Sequence, residues 1–451
     1  MKRSTRVSVL AIVCLSLYVH MFWTSTSYAQ SSTAKAANGA GQRIVGYFTQ
    51  WGIYSGYSVK NLVTSGSASK MTVVNYAFGN INAQNLQCFE VNQAGQGDAW
   101  ADYQRPVGTS ESVDGVADVN NQPLRGNFNQ LRKLKLLYPN LKLMISLGGW
   151  TWSAHFSDAA LTEQSRKTFV QSCLNQYILG NLPQLAGDSA GGPGAAANIF
   201  DGIDIDWEYP ASPGNVGNVY RPVDTKNFTL LLAEFRKQLD ALGKQTGKHY
   251  LLSIAAPAGK AQYSKIQINK IGQYLDWINL MTYDYHGPWE PNGPTNFNAP
   301  LYGSPNDPSP THENINRSIN AYLQAGIQPR QLVMGVPFYG HGWTNVPNVN
   351  NGLYQGDTNT QPAPGIGAGT NNYNVLKNLS GFTAYRDPVT KAFWIFDGVT
   401  FWSYDDPQSL LTKMYYVHEN DLGGAMIWSM DGDDATGTLI SAIYTGLHQG
   451  G

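Results

Sequence analysis

Eight short apolar runs, spaced along most of the sequence, limit this chain to a small set of folds. Each run is rich in β-branched or aromatic residues and is almost continuously apolar before it ends in glycine, aromatic or acidic residues. Parallel strands that are buried on both faces have this pattern, whereas half-exposed strands alternate apolar with polar residues. The sequence therefore predicts eight buried parallel strands. The runs begin at Arg43, Met71, Leu141, Phe200, Tyr250, Leu275, Gln331 and Gly423.

Helical patterns fill several of the gaps between these runs. Apolar residues recur at helical spacing over 128–137 and over 169–178. A third stripe is introduced by Asp224, and we expect its helix to end at Gly243. Strands that alternate with helices indicate an α/β protein, and eight of them predict a (β/α)8 TIM barrel. A doubly wound sheet is the alternative, but the first run is not followed by the glycine-rich phosphate turn of that fold.

Two connecting segments are longer than ordinary loops. Residues 83–124 follow the second run and are polar and rich in turns. Residues 344–422 lie between the seventh and eighth runs and contain strand-like pieces of their own, FTAYRDPVT and KAFWIFDGVTFWSYDD. We expect 344–422 to form a small α+β insertion subdomain, and 43–343 together with 423–451 to form the barrel.

The first residues are typical of an export signal rather than of folded structure. Three basic residues precede an apolar run, and Ser27-Tyr28-Ala29 offers small residues at the positions that signal peptidase reads. The sequence predicts a secretory signal peptide over 1–29, a disordered lead over 30–42, and a secreted, extracellular product that leaves the membrane after cleavage. An uncleaved anchor is the alternative, but the apolar run is short and interrupted by polar residues.

Charge and cysteine content exclude several classes of function. Lys and Arg number 30 against 31 Asp and Glu, without a polybasic stretch, so we expect no binding to nucleic acid. Cys88 and Cys173 match no zinc pattern, and His286 and His341 have no partner at ligand spacing, so we expect no metal and no cofactor. Cys173 lies among apolar residues at helical spacing, which predicts burial, while a Cys88–Cys173 disulfide stays open.

The segment DGIDIDWEYP, residues 201–210, carries the most specific chemistry. Side chains alternate between the two faces of a strand, so Asp204, Asp206 and Glu208 project to one side, successive members about 6.6 Å apart. Neighbouring carboxylates raise each other's pKa, which keeps one of them protonated near neutral pH, as acid catalysis requires. A calcium site or a solvated edge strand is the alternative, but calcium loops spread their oxygen ligands over a turn that contains glycine.

In this motif and in four others the chain resembles the family 18 glycoside hydrolases, the chitinases. SLGGW (146–150) resembles the third-strand motif of the family, and DGIDIDWEYP resembles its fourth-strand active-site motif. MTYDYHG (281–287), PFYGHGW (337–343) and AMIWSMDGD (425–433) follow in the family's order. The resemblance covers essentially all of the chain after the predicted signal peptide. The segment before the eighth run is similar to the subdomain that deepens the cleft in one branch of these enzymes.

The resemblance implies substrate-assisted, retaining hydrolysis of β-1,4-linked N-acetylglucosamine. Glu208 would be the general acid, and the substrate's own acetamido oxygen would attack the anomeric carbon to form an oxazolinium ion. Asp206 would stabilise that cation, and Asp204 would share a proton with Asp206. Tyr283 would hydrogen-bond the acetamido oxygen, with Asp284 beside it.

Further substrate contacts are expected from flat side chains near the strand ends, since sugar rings stack on aromatic faces. Trp428 would form the floor under the distorted sugar, and Arg386 matches a family position that contacts substrate. Barrel core is the alternative interpretation for Phe78 and Met281. Tyr47, Trp51, Trp150 and Tyr339 complete the predicted cleft, with Trp152, Trp289 and Trp343 as candidate outer subsites.

Chitin and chitin oligosaccharides are thus the expected partners of a monomeric enzyme, endo-acting or processive. A sugar-binding lectin on the same fold is one alternative, but such relatives typically lose the acid that corresponds to Glu208, which this chain keeps. An endo-β-N-acetylglucosaminidase that acts on glycoprotein glycans is another. It would share the acidic motif, but it usually lacks an insertion like residues 344–422.

Overall fold

The computed structural model describes residues 41–185 and 187–449, together with Met1. Within these ranges, no helix combines the length and the apolar character needed to cross a bilayer. The predicted signal peptide after Met1 and the predicted lead as far as residue 40 lie outside the described residues, so both remain predictions.

Eight parallel strands close into a barrel, one strand from each predicted apolar run. Each strand pairs with the next along the chain, and the eighth pairs with the first, where Gly424 lies opposite Arg43. The predicted TIM barrel is confirmed, and the open, doubly wound sheet is excluded because the ring is closed. The strands are β1 (Arg43–Thr49), β2 (Val73–Ile81), β3 (Lys142–Gly148), β4 (Gly202–Asp206), β5 (Leu251–Pro257), β6 (Trp277–Met281), β7 (Leu332–Pro337) and β8 (Gly424–Trp428).

A helix follows each barrel strand, and these helices surround the barrel. They pack on side chains that point outward from the strands, because successive side chains of a strand alternate between its two faces. The helices are α1 (Val59–Thr64), α2 (Gly126–Leu137), α3 (Glu163–Cys173), α4 (Asp224–Thr246), α5 (Ile268–Ile271), α6 (Ile315–Gln324), α7 (Pro407–Glu419) and α8 (Thr438–Gln449).

Helix α4 corrects one prediction, because it continues past Gly243 to Thr246. Gly247 ends it instead: its φ of 72° is left-handed, and its N–H donates to the Gly243 carbonyl at 2.8 Å. Gly243 permits a close approach, since a Cβ there would lie 2.4 Å from the Lys248 carbonyl oxygen. One glycine therefore ends the helix, and the other makes room for the chain that leaves it.

The side chains of strand β4 alternate between the apolar core on the helix side and the interior of the barrel. Ile203 and Ile205 are fully buried on the helix side, and Trp207 just after the strand stacks on Phe156 with ring centroids 5.3 Å apart. The alternate side chains face the barrel interior and its mouth. The acidic side of this strand is thus fixed by apolar packing on its other side.

The insertion between β7 and β8 contains an antiparallel sheet with bounds that differ from the predicted 344–422. Its first strand is Tyr339–Thr344, directly after β7, and α7 beyond its last strand packs on β8 and α8 as a barrel helix. The boundary between β7 and the insertion falls inside the run PFYGHGW, so the sequence does not mark it. This one stretch contributes to strands of two different sheets. The order of strands is Gln361–Pro362, Tyr339–Thr344, Phe401–Ser403, Phe393–Phe396 and Thr383–Arg386, and Thr370–Asn372 also pairs with Tyr339–Thr344.

The long segment after β2 is packed against the barrel, although its sequence is polar. Strand Cys88–Phe89 pairs with the end of β2, and a disulfide joins Cys88 to Cys173 of α3. The turn Trp100–Gln104 packs on α2 and buries Asp102 and Tyr103. The open question of the disulfide is thereby answered, and the predicted burial of Cys173 is confirmed.

Candidate active site

The carboxyl ends of the barrel strands surround a cleft of about 760 Å³. This is the face at which the active sites of TIM-barrel enzymes lie. The structure brings together there most of the residues that the sequence singled out. These are Tyr47, Trp51, Phe78, Trp150, Asp206, Glu208, Met281, Tyr283, Asp284, Trp289 and Trp428.

Asp204 lies beneath the cleft with no exposed surface. Its carboxylate accepts hydrogen bonds from the hydroxyls of Tyr47 (2.7 Å), Ser146 (2.8 Å) and Ser253 (2.6 Å). The Asn279 amide donates a fourth bond at 3.3 Å. Burial raises the pKa of Asp204, while these donors act in the opposite direction because they stabilise the charged form. Tyr47 therefore also supports the acidic strand from below.

Asp206 is the middle carboxyl and is almost completely buried. Its Oδ1 has no hydrogen-bond partner within the described part of the chain. Burial raises its pKa well above the ordinary value, and the neighbouring charges of Glu208 and Asp204 raise it further. A buried oxygen without a partner is rare in a folded protein, which marks this atom as a candidate contact for a ligand.

Glu208 stands at the mouth of the barrel and is fixed through its backbone. Its N–H donates to Ser153 Oγ at 2.9 Å, and its carbonyl accepts from Asn218 Nδ2 at 3.0 Å. Burial raises the pKa of Glu208 to about 7; a hydrogen bond with Tyr209 lowers it, and the charge of Asp284 raises it. A carboxyl with a pKa near neutrality can donate a proton and later accept one, as general acid–base catalysis requires.

Aromatic rings form one wall and the floor of the cleft. Trp428 stacks on Phe78 with centroids 5.6 Å apart, and the ring of Tyr47 meets it edge-on at 5.5 Å. Trp51 and Trp150 lie further out and remain about half exposed. Phe78 is almost fully buried and packs in the barrel core, yet it also lines the cleft, so both interpretations of this residue hold.

The side chain of Asp284 is held from the insertion, and its backbone is held from the segment between β6 and α6. Its Oδ1 accepts from the Tyr339 hydroxyl at 2.6 Å and contacts His341 Nε2 at 2.7 Å. Its backbone N–H donates to Asn298 Oδ1 at 2.8 Å. Tyr339 is not among the cleft-lining residues: its ring lies edge-on beside Tyr283 at 6.2 Å, and its hydroxyl reaches Asp284.

Two other predicted contacts lie away from the cleft. Arg386 forms an ion pair with Asp406, and its guanidinium lies 4.8 Å from the Phe393 ring centroid. Arg386 is not among the lining residues, because this pair holds it on the insertion. Trp343 is fully buried in the insertion core, so its assignment as a candidate outer subsite is wrong.

The cleft also contains residues that the sequence did not single out. Tyr209 belongs to the quoted β4 motif, and its position directly after Glu208 could have identified it. Gln262 lies in the short helix Lys260–Tyr263 after β5, and Glu313 lies in the irregular segment before α6, so neither is marked by a periodic pattern. Across the described ranges, no three His, Cys, Asp or Glu side chains are grouped so as to hold a metal ion.

A TIM barrel with a row of buried carboxyls at the end of its fourth strand is suited to acid–base chemistry on a ligand bound in the cleft. The family model for glycosyl hydrolases family 18 matches residues 43–433. The chain belongs to this family.

Individual relatives agree with the family assignment. Chitinase 63 of Streptomyces plicatus is 38% identical over 408 residues, which cover 89% of this chain and 60% of that protein. Chitinase C of Streptomyces lividans is 39% identical over 398 residues, covering 87% of this chain and 58% of that protein. The catalytic domain of chitinase B from Arthrobacter TAD20 is similar in structure, with a TM-score of 0.86 and 43% identity over 91% of this chain and 96% of that domain. The chain thus spans about three fifths of the length of the two Streptomyces relatives.

Proposed function

We propose that this protein is a chitinase that hydrolyses β-1,4-linked N-acetylglucosamine polymers with retention of anomeric configuration. The observation that carries the proposal is the row of carboxyl groups at the end of β4, which consists of Asp204, Asp206 and Glu208. Asp206 has a buried oxygen that no described residue contacts by a hydrogen bond, and burial raises the pKa of Glu208 to about 7 at the mouth of the cleft. Membership in family 18 and the printed names of the chitinase relatives support this substrate class.

In the first step, the Glu208 carboxyl transfers its proton to the glycosidic oxygen as the bond from that oxygen to the anomeric carbon breaks. The acetamido carbonyl oxygen of the same sugar forms the new bond to that carbon, which gives an oxazolinium ion and leaves Glu208 as a carboxylate. Asp206 Oδ1 accepts the acetamido N–H and stabilises the positive charge. The four donors around Asp204 hold the deeper charge in place.

In the second step, the Glu208 carboxylate removes a proton from water. The water oxygen attacks the anomeric carbon and displaces the acetamido oxygen, so the product keeps the β configuration and Glu208 regains its proton. Tyr283 donates its hydroxyl to the acetamido oxygen, and Trp428 packs beneath the sugar ring. Burial is the main cause that raises the pKa of Tyr283 well above its ordinary value, so it remains a donor throughout.

Export is the second part of the proposal. The predicted signal peptide over 1–29 would deliver the protein outside the cell, where the Cys88–Cys173 disulfide is stable. Action as a monomer on chitin and its oligosaccharides completes the proposed setting.

Hydrolysis of chitotetraose and of a high-mannose glycopeptide, assayed in parallel, tests the reaction and its substrate. We expect turnover of chitotetraose by the wild type and a loss of about 100-fold or more in Glu208→Gln, with binding retained. Glu163→Gln on the exposed surface of α3 is the matched control, since its side chain is 74% exposed. Cleavage of the glycopeptide alone would support an endo-β-N-acetylglucosaminidase. Binding without turnover by the wild type would support a lectin.

A further inference from the structure

His341 connects the insertion sheet to the active site. It lies on strand Tyr339–Thr344, its side chain is 5% exposed, and its Nε2 is 2.7 Å from Asp284 Oδ1. The Tyr339 hydroxyl donates to the same oxygen at 2.6 Å. Since an ionised carboxylate only accepts hydrogen bonds, the Nε2 atom carries the proton of this contact. Both side-chain donors to Asp284 therefore come from one strand of the insertion.

The other ring nitrogen has partners for both protonation states. His341 Nδ1 lies 3.2 Å from Thr370 Oγ1 and 3.4 Å from the Gly369 carbonyl oxygen. In the neutral ring, the Thr370 hydroxyl donates to Nδ1, whereas in the imidazolium Nδ1–H donates to the carbonyl. Contacts at both ring nitrogens therefore hold the imidazole in its place.

Packing holds the imidazole in this position. Trp289, which lines the cleft, meets the His341 ring edge-on with centroids 5.2 Å apart. A Cβ on Gly287 would lie 2.5 Å from the Trp289 ring and 3.0 Å from His341 Cδ2, so the backbone closes in from this side. The buried imidazole is therefore enclosed on the side that faces Trp289 and Gly287.

Two titratable side chains contact His341, and one of them, Asp284, also affects the catalytic acid Glu208. Asp284 faces it from the loop after β6, and Tyr339 faces it along its own strand, with ring centroids 5.4 Å apart. The contacting residues of strand Thr370–Asn372 and its turn, Thr370 and Gly369, carry no titratable group. Asp284 in turn raises the pKa of Glu208, as one contribution after that of burial.

We propose that His341 is a positioning residue that holds the Asp284 charge against Glu208 and so sets the alkaline limit of activity. This inference rests on the proposed chitinase function. When the carboxylate is held near Glu208, the acid keeps its proton to higher pH.

The test is the pH profile of kcat on chitotetraose for wild type, His341→Leu, His341→Gln, Asp284→Asn and the double variant His341→Leu/Asp284→Asn. His341→Leu removes the donor, and we expect its kcat relative to wild type to be lower at pH 8 than at pH 6 by about threefold or more. Asp284→Asn should move the alkaline limb in the same direction. The double variant should match Asp284→Asn, because His341 acts through that carboxylate. His341→Gln keeps an N–H donor and should restore most of the wild-type profile.

Two further variants separate this role from general support of the fold. Tyr339→Phe removes only the second donor to the same oxygen, and we expect it to shift the alkaline limb as His341→Leu does. Thr370→Val contacts the far side of the ring and should leave that limb unchanged. Alkaline limbs of His341→Leu and Tyr339→Phe that coincide with wild type would overturn the inference, as would an additional shift in the double variant. Absence of hydrolysis by the wild type would instead refute the proposed function on which it rests.

Discussion

Replacement of Lys413 by methionine tests how the insertion is anchored to the barrel. Lys413 on α7 and Asp405 just before this helix form an ion pair with Nζ and Oδ2 2.5 Å apart, and their side chains are only 1% and 5% exposed. Without the amine, Asp405 keeps one side-chain partner among the described residues, Ser409 Oγ at 3.1 Å. Breaking a buried pair on one side typically costs about 3–5 kcal/mol, because the remaining charge is uncompensated. We expect a decrease of this size in the free energy of unfolding.

The double variant Lys413→Met/Asp405→Leu is the matched control. It removes both charges and fills their space with apolar groups, so we expect it to recover most of the loss, to within about 1.5 kcal/mol of wild type. Ser409 keeps an acceptor there, since its Oγ also donates to the Asp406 carbonyl at 2.9 Å.

Denaturant unfolding gives the energies, and hydrogen exchange of the peptides over 401–419 locates the effect. Faster exchange should be concentrated at the junction between strand Phe401–Ser403 and α7. A loss below about 1 kcal/mol in Lys413→Met would refute the reasoning, as would a double variant that loses as much stability as Lys413→Met or more.

Three other predictions concern stability. Burial raises the pKa of Asp102 to about 7, so the folded state holds a proton that the unfolded chain releases. The free energy of unfolding should therefore fall as pH rises from about 4 through 7. Thermal melts over this pH range should show a smaller decline for Asp102→Asn than for wild type. The Cys88–Cys173 disulfide spans 85 residues, and loop-closure entropy predicts a loss of up to about 4–5 kcal/mol in Cys88→Ala/Cys173→Ala; equal melting of oxidised and reduced wild type would contradict this. Gly247→Ala places a Cβ at a φ of 72° and should cost about 1 kcal/mol in chemical unfolding, whereas an unchanged midpoint would argue against the left-handed cap.

The sequence predicts the barrel well because its strands are buried on both faces. The apolar run alone identifies such a strand, without knowledge of the strands with which it pairs. Each of the eight runs contains one barrel strand. The side of β4 that carries the acids follows from simple alternation, since Ile203 and Ile205 pack outward while Asp204 and Asp206 point inward. Local pattern therefore suffices for the fold and for the centre of the site.

Features that depend on distant contacts are not predictable in this way. The strand that begins at Tyr339 belongs to another sheet than β7, and only pairing with residues such as Asn372 and Ser403 determines this. The segment after β2 is polar, yet it buries Asp102, which accepts a hydrogen bond from Gln50 at 2.5 Å and another from Tyr76. Its buried polar network replaces the apolar pattern on which sequence interpretation relies.

The Arg386 position illustrates a third limit. A motif match identifies the residue, but it does not determine which partners the side chain contacts. Here the guanidinium pairs with Asp406 and lies over the Phe393 ring. Long charged side chains are least determined by local sequence, because their rotamer freedom lets distant neighbours decide their position.

Proton NMR of chitotetraose hydrolysis, run with the wild type and with Glu208→Gln, tests the central claim most directly. We expect the β-anomer to appear first from the wild type and to convert slowly to the equilibrium mixture, while Glu208→Gln binds the oligosaccharide without releasing product. First appearance of the α-anomer would contradict retention through the acetamido group. Turnover by Glu208→Gln within about tenfold of wild type would contradict the role of Glu208 as the catalytic acid.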